Sequence, residues 1–111
     1  AGVEVEVWSS AVPLLPGVES LSTMPAAIPG GTQNNMSFVA CHVQYDEAVP
    51  LRMRLILNDA QTSGGLLFAL PATGVESVQR ECAARGVTTA VIGRVTGHGE
   101  GRIHVLAEPP C

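Results

Sequence analysis

Five apolar residues in a row, Leu66 to Leu70, constrain this chain more than any other stretch. Two glycines precede them and Pro71 ends them. A short run that is apolar at every position has the length of a strand and fits one covered on both faces. The segment Asn58–Pro71, NDAQTSGGLLFALP, therefore predicts a central strand at Leu66–Leu70, entered through a small polar turn. Gly64 and Gly65 would let another backbone, or a ligand, come close at the mouth of that strand. Successive N–H groups, with the hydroxyls of Thr62 and Ser63, would suit an anion-binding nest. A plainer reading stands beside this one: the glycines merely permit a tight turn.

Such a strand needs a core to enter. The chain has 111 residues, the size of one ordinary domain, so residues 1–111 are read as a single unit. It is 46% apolar but only 4% aromatic, so the core must come from Val, Leu, Ile and Ala. No run reaches the roughly 18 apolar residues that span a membrane, and no secretory signal is visible. The net charge of −4 is unevenly spread. Residues 1–51 hold five acids and no base, whereas residues 52–111 hold six Arg and five acids. Without a basic stripe, a nucleic-acid partner is not expected. There is no Lys, the residue phosphoryl-transfer enzymes commonly place on phosphates. Three Cys (Cys41, Cys82, Cys111) lack metal-type spacing and fit a reducing, cytoplasmic setting. Cys41 and Cys82 read as small packed hydrophobes and Cys111 as an exposed thiol.

Along the chain, Val3, Val5 and Val7 alternate with Glu4 and Glu6, a half-buried strand with its acids facing water. Pro16 suits the start of a short helix through Leu21. Thr32 reads as the N-cap of a helix carrying Met36, Val39 and Ala40 on one face. Asp46, Glu47 and Pro50 favour another helix, whose apolar face would be Leu51, Leu55 and Ile56, although Leu51, Met53 and Leu55 also alternate with Arg52 and Arg54 as a strand would. Thr73 would cap a helix over Ala72–Arg85 with Val75, Val78 and Cys82 inward, and Gly86 suits the position after its end. Thr88 to Val95 is a β-branched run, hence a strand, and Arg102 to Leu106 would return from it as a hairpin. This order of elements predicts an α/β sandwich, a mixed sheet with helices against it.

The residues give few candidates for chemistry. His42, His98 and His104 stand at no ligand spacing with each other or with Cys, so no metal site and no catalytic residue is assigned. Cys41 and His42 are sequence neighbours, which rarely face each other. Asp59 is either a lone Mg²⁺ ligand or a turn-stabilising acceptor, and the turn role is preferred. Thr32 and Asn35 have two readings as well, helix cap and polar helix face, or anion donors at a helix start. The candidate phosphate-facing surface is thus Thr32, Asn35, Gln61, Thr62, Ser63, Gly64 and Gly65.

DAQTSGGLL (Asp59 to Leu67) resembles the DPQTSGGLL signature of the C-terminal domain of selenophosphate synthetase (selenide, water dikinase). PGGTQNNMSFVACHV (Pro29 to Val43) resembles that family's PGGT-x-x-N…FVAPHV, with Cys41 where the family usually has Pro. VPLLPGV (Val12 to Val18) and AVIGRV (Ala90 to Val95) match in the same order, so the resemblance covers nearly the whole chain. It implies an α+β sandwich with a mixed, mostly antiparallel sheet, like the C-terminal domain of the aminoimidazole ribonucleotide synthetase-related superfamily. It implies a two-domain, dimeric, cytoplasmic parent enzyme that uses ATP and Mg²⁺ to convert selenide and water to selenophosphate, AMP and phosphate. The reactive Cys or selenocysteine, the catalytic Lys and the metal-binding Asp residues of that family have no counterpart in residues 1–111. The family pattern also has a helix before Ala1, so the chain reads as a fragment that packs on an N-terminal catalytic domain and helps close its nucleotide site. By itself it is expected to be inactive and to bind neither ATP nor Mg²⁺ tightly. The competing reading is a stand-alone, non-catalytic binding or assembly module derived from the same domain.

Overall fold

The computed structural model describes residues 2–111. The chain folds as β1 (Val3–Trp8), α1 (Val18–Ser22), α2 (Gly30–Val39), β2 (Val43–Tyr45), α3 (Leu51–Leu57), α4 (Ala72–Ala84), β3 (Gly93–His98) and β4 (Ile103–Leu106). One four-stranded sheet, in the order β2-β4-β1-β3, carries the fold. β1 runs antiparallel to β3 and parallel to β4, and β2 runs parallel to β4. The expected α/β sandwich with a mixed sheet is therefore present. Its balance differs from "mostly antiparallel", since two of the three pairings are parallel.

The register sorts the side chains. Val5 lies opposite both Val95 and Ile103, Val7 opposite Val105, and Val43 opposite Ile103, which puts these residues on one face. Onto that face packs α3. The core is Val49, Met53 and Val105, joined by Val7, Leu14, Tyr45, Ile56 and Leu57. The helix predicted after Pro50 is present, but its inward residues are Met53, Ile56 and Leu57, while Leu51 is exposed. Residue 51 opens the helix, and the positions three and four beyond Met53 form the stripe that meets the sheet. Glu6 lies opposite Arg94 on the other face, and Arg94 Nε donates to Glu6 Oε2 at 2.8 Å.

Several expectations are corrected. β3 and β4 do not form a hairpin, because β1 lies between them. The link at residues 99–102 crosses the start of β1, where Gly99 N donates to Gly2 O at 3.1 Å. Four extended residues reach across two strand spacings, about 10 Å, so a short link does not enforce direct pairing. The strand predicted from Thr88 begins only at Gly93. Thr32 is not a cap, for α2 starts at Gly30 after Pro29 and Thr32 lies in its first turn. Nor does Thr73 cap α4, whose preceding residue is Pro71. Cys41 is exposed rather than packed; Cys111 is exposed as expected, and Cys82 is half-buried. Gly86 fulfils its reading: its φ is +72°, and Gly86 N and Val87 N donate to Ala83 O and Cys82 O.

The largest correction concerns Leu66–Leu70. The segment belongs to no strand, and Leu66 and Leu67 are 94% and 80% exposed. Among the described residues, no backbone–backbone hydrogen bond involves residues 60–70. An apolar run specifies that a strand should be covered but supplies no neighbour, and β1 to β4 pair with one another without it. α4 follows this arm with Val75, Val78 and Cys82 only half-buried. The arm loosens the whole: the radius of gyration is 14.9 Å, against roughly 13 Å for a compact chain of this length.

Candidate functional site

The start of α2 and the turn after α3 meet. Gly31 makes the approach possible: a Cβ there would stand 3.0 Å from Ala60 Cβ, closer than side-chain carbons ordinarily pack. One residue on, Thr32 is buried, and its hydroxyl donates to Asp59 Oδ1 at 3.1 Å. One helical turn further, Asn35 Nδ2 donates to the carbonyl of Asn58 at 3.0 Å. Two side chains of α2, on one face through their i, i+3 spacing, thus hold two consecutive residues of the turn. Asp59 accepts this hydrogen bond within the turn, in keeping with a turn-stabilising acceptor.

Beyond this clasp the turn is open. Gln61, Thr62, Ser63, Gly64 and Gly65 are all exposed. Among the described residues, no protein partner accepts from the Thr62 or Ser63 hydroxyls. Gly64 and Gly65 do not have positive φ, so the turn lacks the left-handed step of an alternating anion nest. A Cβ on Gly64 would meet only the Gln61 side chain, with Oε1 at 3.1 Å and Cβ at 4.0 Å, and one on Gly65 nothing. These glycines therefore leave a bare surface rather than relieve strain. Of the seven predicted residues, the structure gathers all seven around one turn, but it divides them. Thr32 and Asn35 hold the turn, and Gln61 to Gly65 present it.

Three participants were not singled out from sequence: Tyr45, Arg54 and Asn58. Asn58 Nδ2 donates to Tyr45 Oη at 2.6 Å and to Arg54 O at 2.7 Å. Arg54 Nε donates to Val49 O at 2.9 Å, and its guanidinium lies 5.1 Å from the centre of the Tyr45 ring. Asn just past a helix end was the one available signal, since that residue type commonly closes C-termini. Tyr45 and Arg54 gave none, because β2 is only three residues long and was not foreseen.

Among the described residues, no three His, Cys, Asp or Glu side chains stand close enough to hold an ion. Asp59, the carboxylate of the turn, already accepts from Thr32. His42 is exposed and makes no side-chain bond to Cys41 among the described residues. A groove of about 320 Å³ runs over the outer sheet face beside Glu4, Glu6, Gln44 and His104. Its charges are mixed, with Glu6 already paired to Arg94. No helix of the described residues is long and apolar enough to cross a membrane.

The fold and the clasped turn define an α+β domain with a presented Gly-Ser-Thr surface. No family model matches the chain. Curated relatives do. The chain is 40% identical over 102 residues to a selenide, water dikinase of Cronobacter sakazakii, covering 92% of this chain and 28% of that protein. A selenide, water dikinase of Sulfurovum is 35% identical over 104 residues, covering 94% and 29%. One of Escherichia coli (strain K12) is 36% identical over 105 residues, covering 95% and 29%. The chain is thus related to the selenide, water dikinases, as the resemblance to their C-terminal domain implies. It spans a little under a third of the length of the curated relatives it matches.

Proposed function

We propose that this chain serves as the C-terminal part of a selenide, water dikinase, packing beside a nucleotide-binding part and helping to close it. The observation that carries the reading is the Gln61–Gly65 turn. It is exposed and uncharged, and it is held in place from behind by a part-buried hydrogen bond between Thr32 and Asp59. Small residues let backbone come near a phosphate, and unbonded N–H and hydroxyl groups can donate to it. The exposed apolar arm at Leu66–Phe68 supports the same reading, because apolar surface of that kind marks a face meant for contact. In this reading ATP and Mg²⁺ belong to the nucleotide-binding part, the whole works as a cytoplasmic dimer, and the 111 residues alone turn nothing over.

The test is a chimera. The homologous 28% of the Cronobacter sakazakii relative is replaced by this chain, and ATP- and selenide-dependent AMP release is measured. Activity within about tenfold of the parent is expected, and Gly64→Val in the chimera should lower it while leaving Tm nearly unchanged. A soluble, folded chimera without activity, or AMP release from the 111-residue chain alone, overturns the reading. The latter result would instead favour an independent catalytic unit.

A further inference from the structure

We propose that Asn58 is the positioning residue of the Gln61–Gly65 turn, the point at which α2, β2 and α3 jointly fix where that turn sits. The inference rests on the proposed function only for why the turn matters; the positioning itself stands on geometry. Asn58 uses both protons of its amide. One goes to Tyr45 Oη on β2 at 2.6 Å and the other to the carbonyl of Arg54 on α3 at 2.7 Å. Its own carbonyl accepts from Asn35 Nδ2 on α2 at 3.0 Å. Its N–H donates to Leu55 O at 3.1 Å, which closes the last turn of α3. Four bonds to three elements thus converge on one residue, directly before Asp59 and the presented turn.

The alternatives for this position are poorer. Asp in place of Asn would keep a bond from the Tyr45 hydroxyl, reversed in direction, but would set a carboxylate against the Arg54 carbonyl. Ala would keep only the two backbone bonds. Gln would carry the amide one carbon further out. Beyond Asp59, no backbone–backbone bond holds residues 60–70 among the described residues, so the placement of the turn is inherited from the clasp behind it. Tyr45 is in turn steadied by the Arg54 guanidinium over its ring. The turn is thereby tied to the sheet through a side chain rather than through a ladder.

The experiment uses the ¹⁵N-labelled 111-residue chain without ligand. Backbone order parameters of Asp59 to Gly65 are measured in the parent, Asn58→Ala, Asn58→Asp, Tyr45→Phe and the core variant Val105→Ala. In the parent, Asp59 to Ser63 are expected near the rigid value of about 0.85, and in Asn58→Ala below about 0.6. Asn58→Asp and Tyr45→Phe should fall between, with sheet amide shifts unchanged. Val105→Ala should lower Tm by at least as much as Asn58→Ala yet leave the turn ordered, which separates positioning from general stability. A turn already below about 0.6 in the parent, or one equally ordered in Asn58→Ala and Tyr45→Phe, overturns the proposal. Should Asn58→Ala fail to fold, Tyr45→Phe decides alone. An inactive chimera with a loosened turn in Asn58→Ala would reject the proposed function and leave this inference standing. The opposite pair of results would do the reverse.

Discussion

The sheet with α3 and the arm from residue 60 to 84 are similarly apolar in sequence and opposite in structure. In the first, Val7, Val43, Ile103 and Val105 share a face, and Val49 and Met53 close over it. In the second, Leu66, Leu67 and Phe68 lie open and the stripe of α4 is half-covered. The difference is hydrogen bonding before it is hydrophobicity. Each core strand has a partner that satisfies its backbone, and only then do alternate side chains point together. Residues 60–70 have no such partner among the described residues, so the apolar side chains of Leu66, Leu67 and Phe68 have nothing to converge on.

This contrast can be broken most forcefully at its buried end. Met53→Ala should cost about 2–5 kcal/mol, the usual range for truncating a large buried apolar side chain, read as a drop in urea midpoint. A loss under about 1 kcal/mol would mean that the core is no better packed than the arm. Gly86→Ala comes next: the left-handed φ of +72° penalises a Cβ, by about 1–2 kcal/mol, and this tests whether α4 is anchored at its C-terminal end. Thr32→Val keeps the volume and removes the donor to Asp59. It should cost about 1 kcal/mol, the net worth of one hydrogen bond, with the turn resonances shifting more than those of the sheet. The smallest effect is the sharpest comparison. Leu67→Ala should stay within about 0.5 kcal/mol in this chain, as expected for an exposed residue. Inside the chimera, where the arm is proposed to be covered, the same change should rise towards the Met53 range. Amide exchange supplies a check without mutation, with slow exchange in β1 and β4 and fast exchange at residues 61–69.

Much of the site was legible for a simple reason. Gly-rich turns and helix starts are local, and PGGTQNN and DAQTSGG each carry their chemistry within seven residues. Neither segment reveals that Thr32 would be buried against Asp59, 27 residues away in sequence. Tyr45 and Arg54 were invisible for the same reason, since their roles depend on a contact between a three-residue strand and the helix that follows it.

The sequence by itself determined the element types at β1, α1 and α4, through the period of two at Val3–Val7 and the helical spacing with Pro and Gly at the ends, whereas at α3 Pro50 favoured a helix over the strand that the alternation of Leu51, Met53 and Leu55 also allowed. It also determined the glycine at position 86 and the polar, uncharged character of the turn. Only the tertiary structure decided that β1 would enter between β3 and β4, because a four-residue link fits either a wide crossing or a hairpin. It alone decided that Leu66–Leu70 would stand outside the sheet. A run of apolar side chains records a demand for burial, but pairing needs the backbone of a second strand at the right distance, and that is a property of the assembled fold.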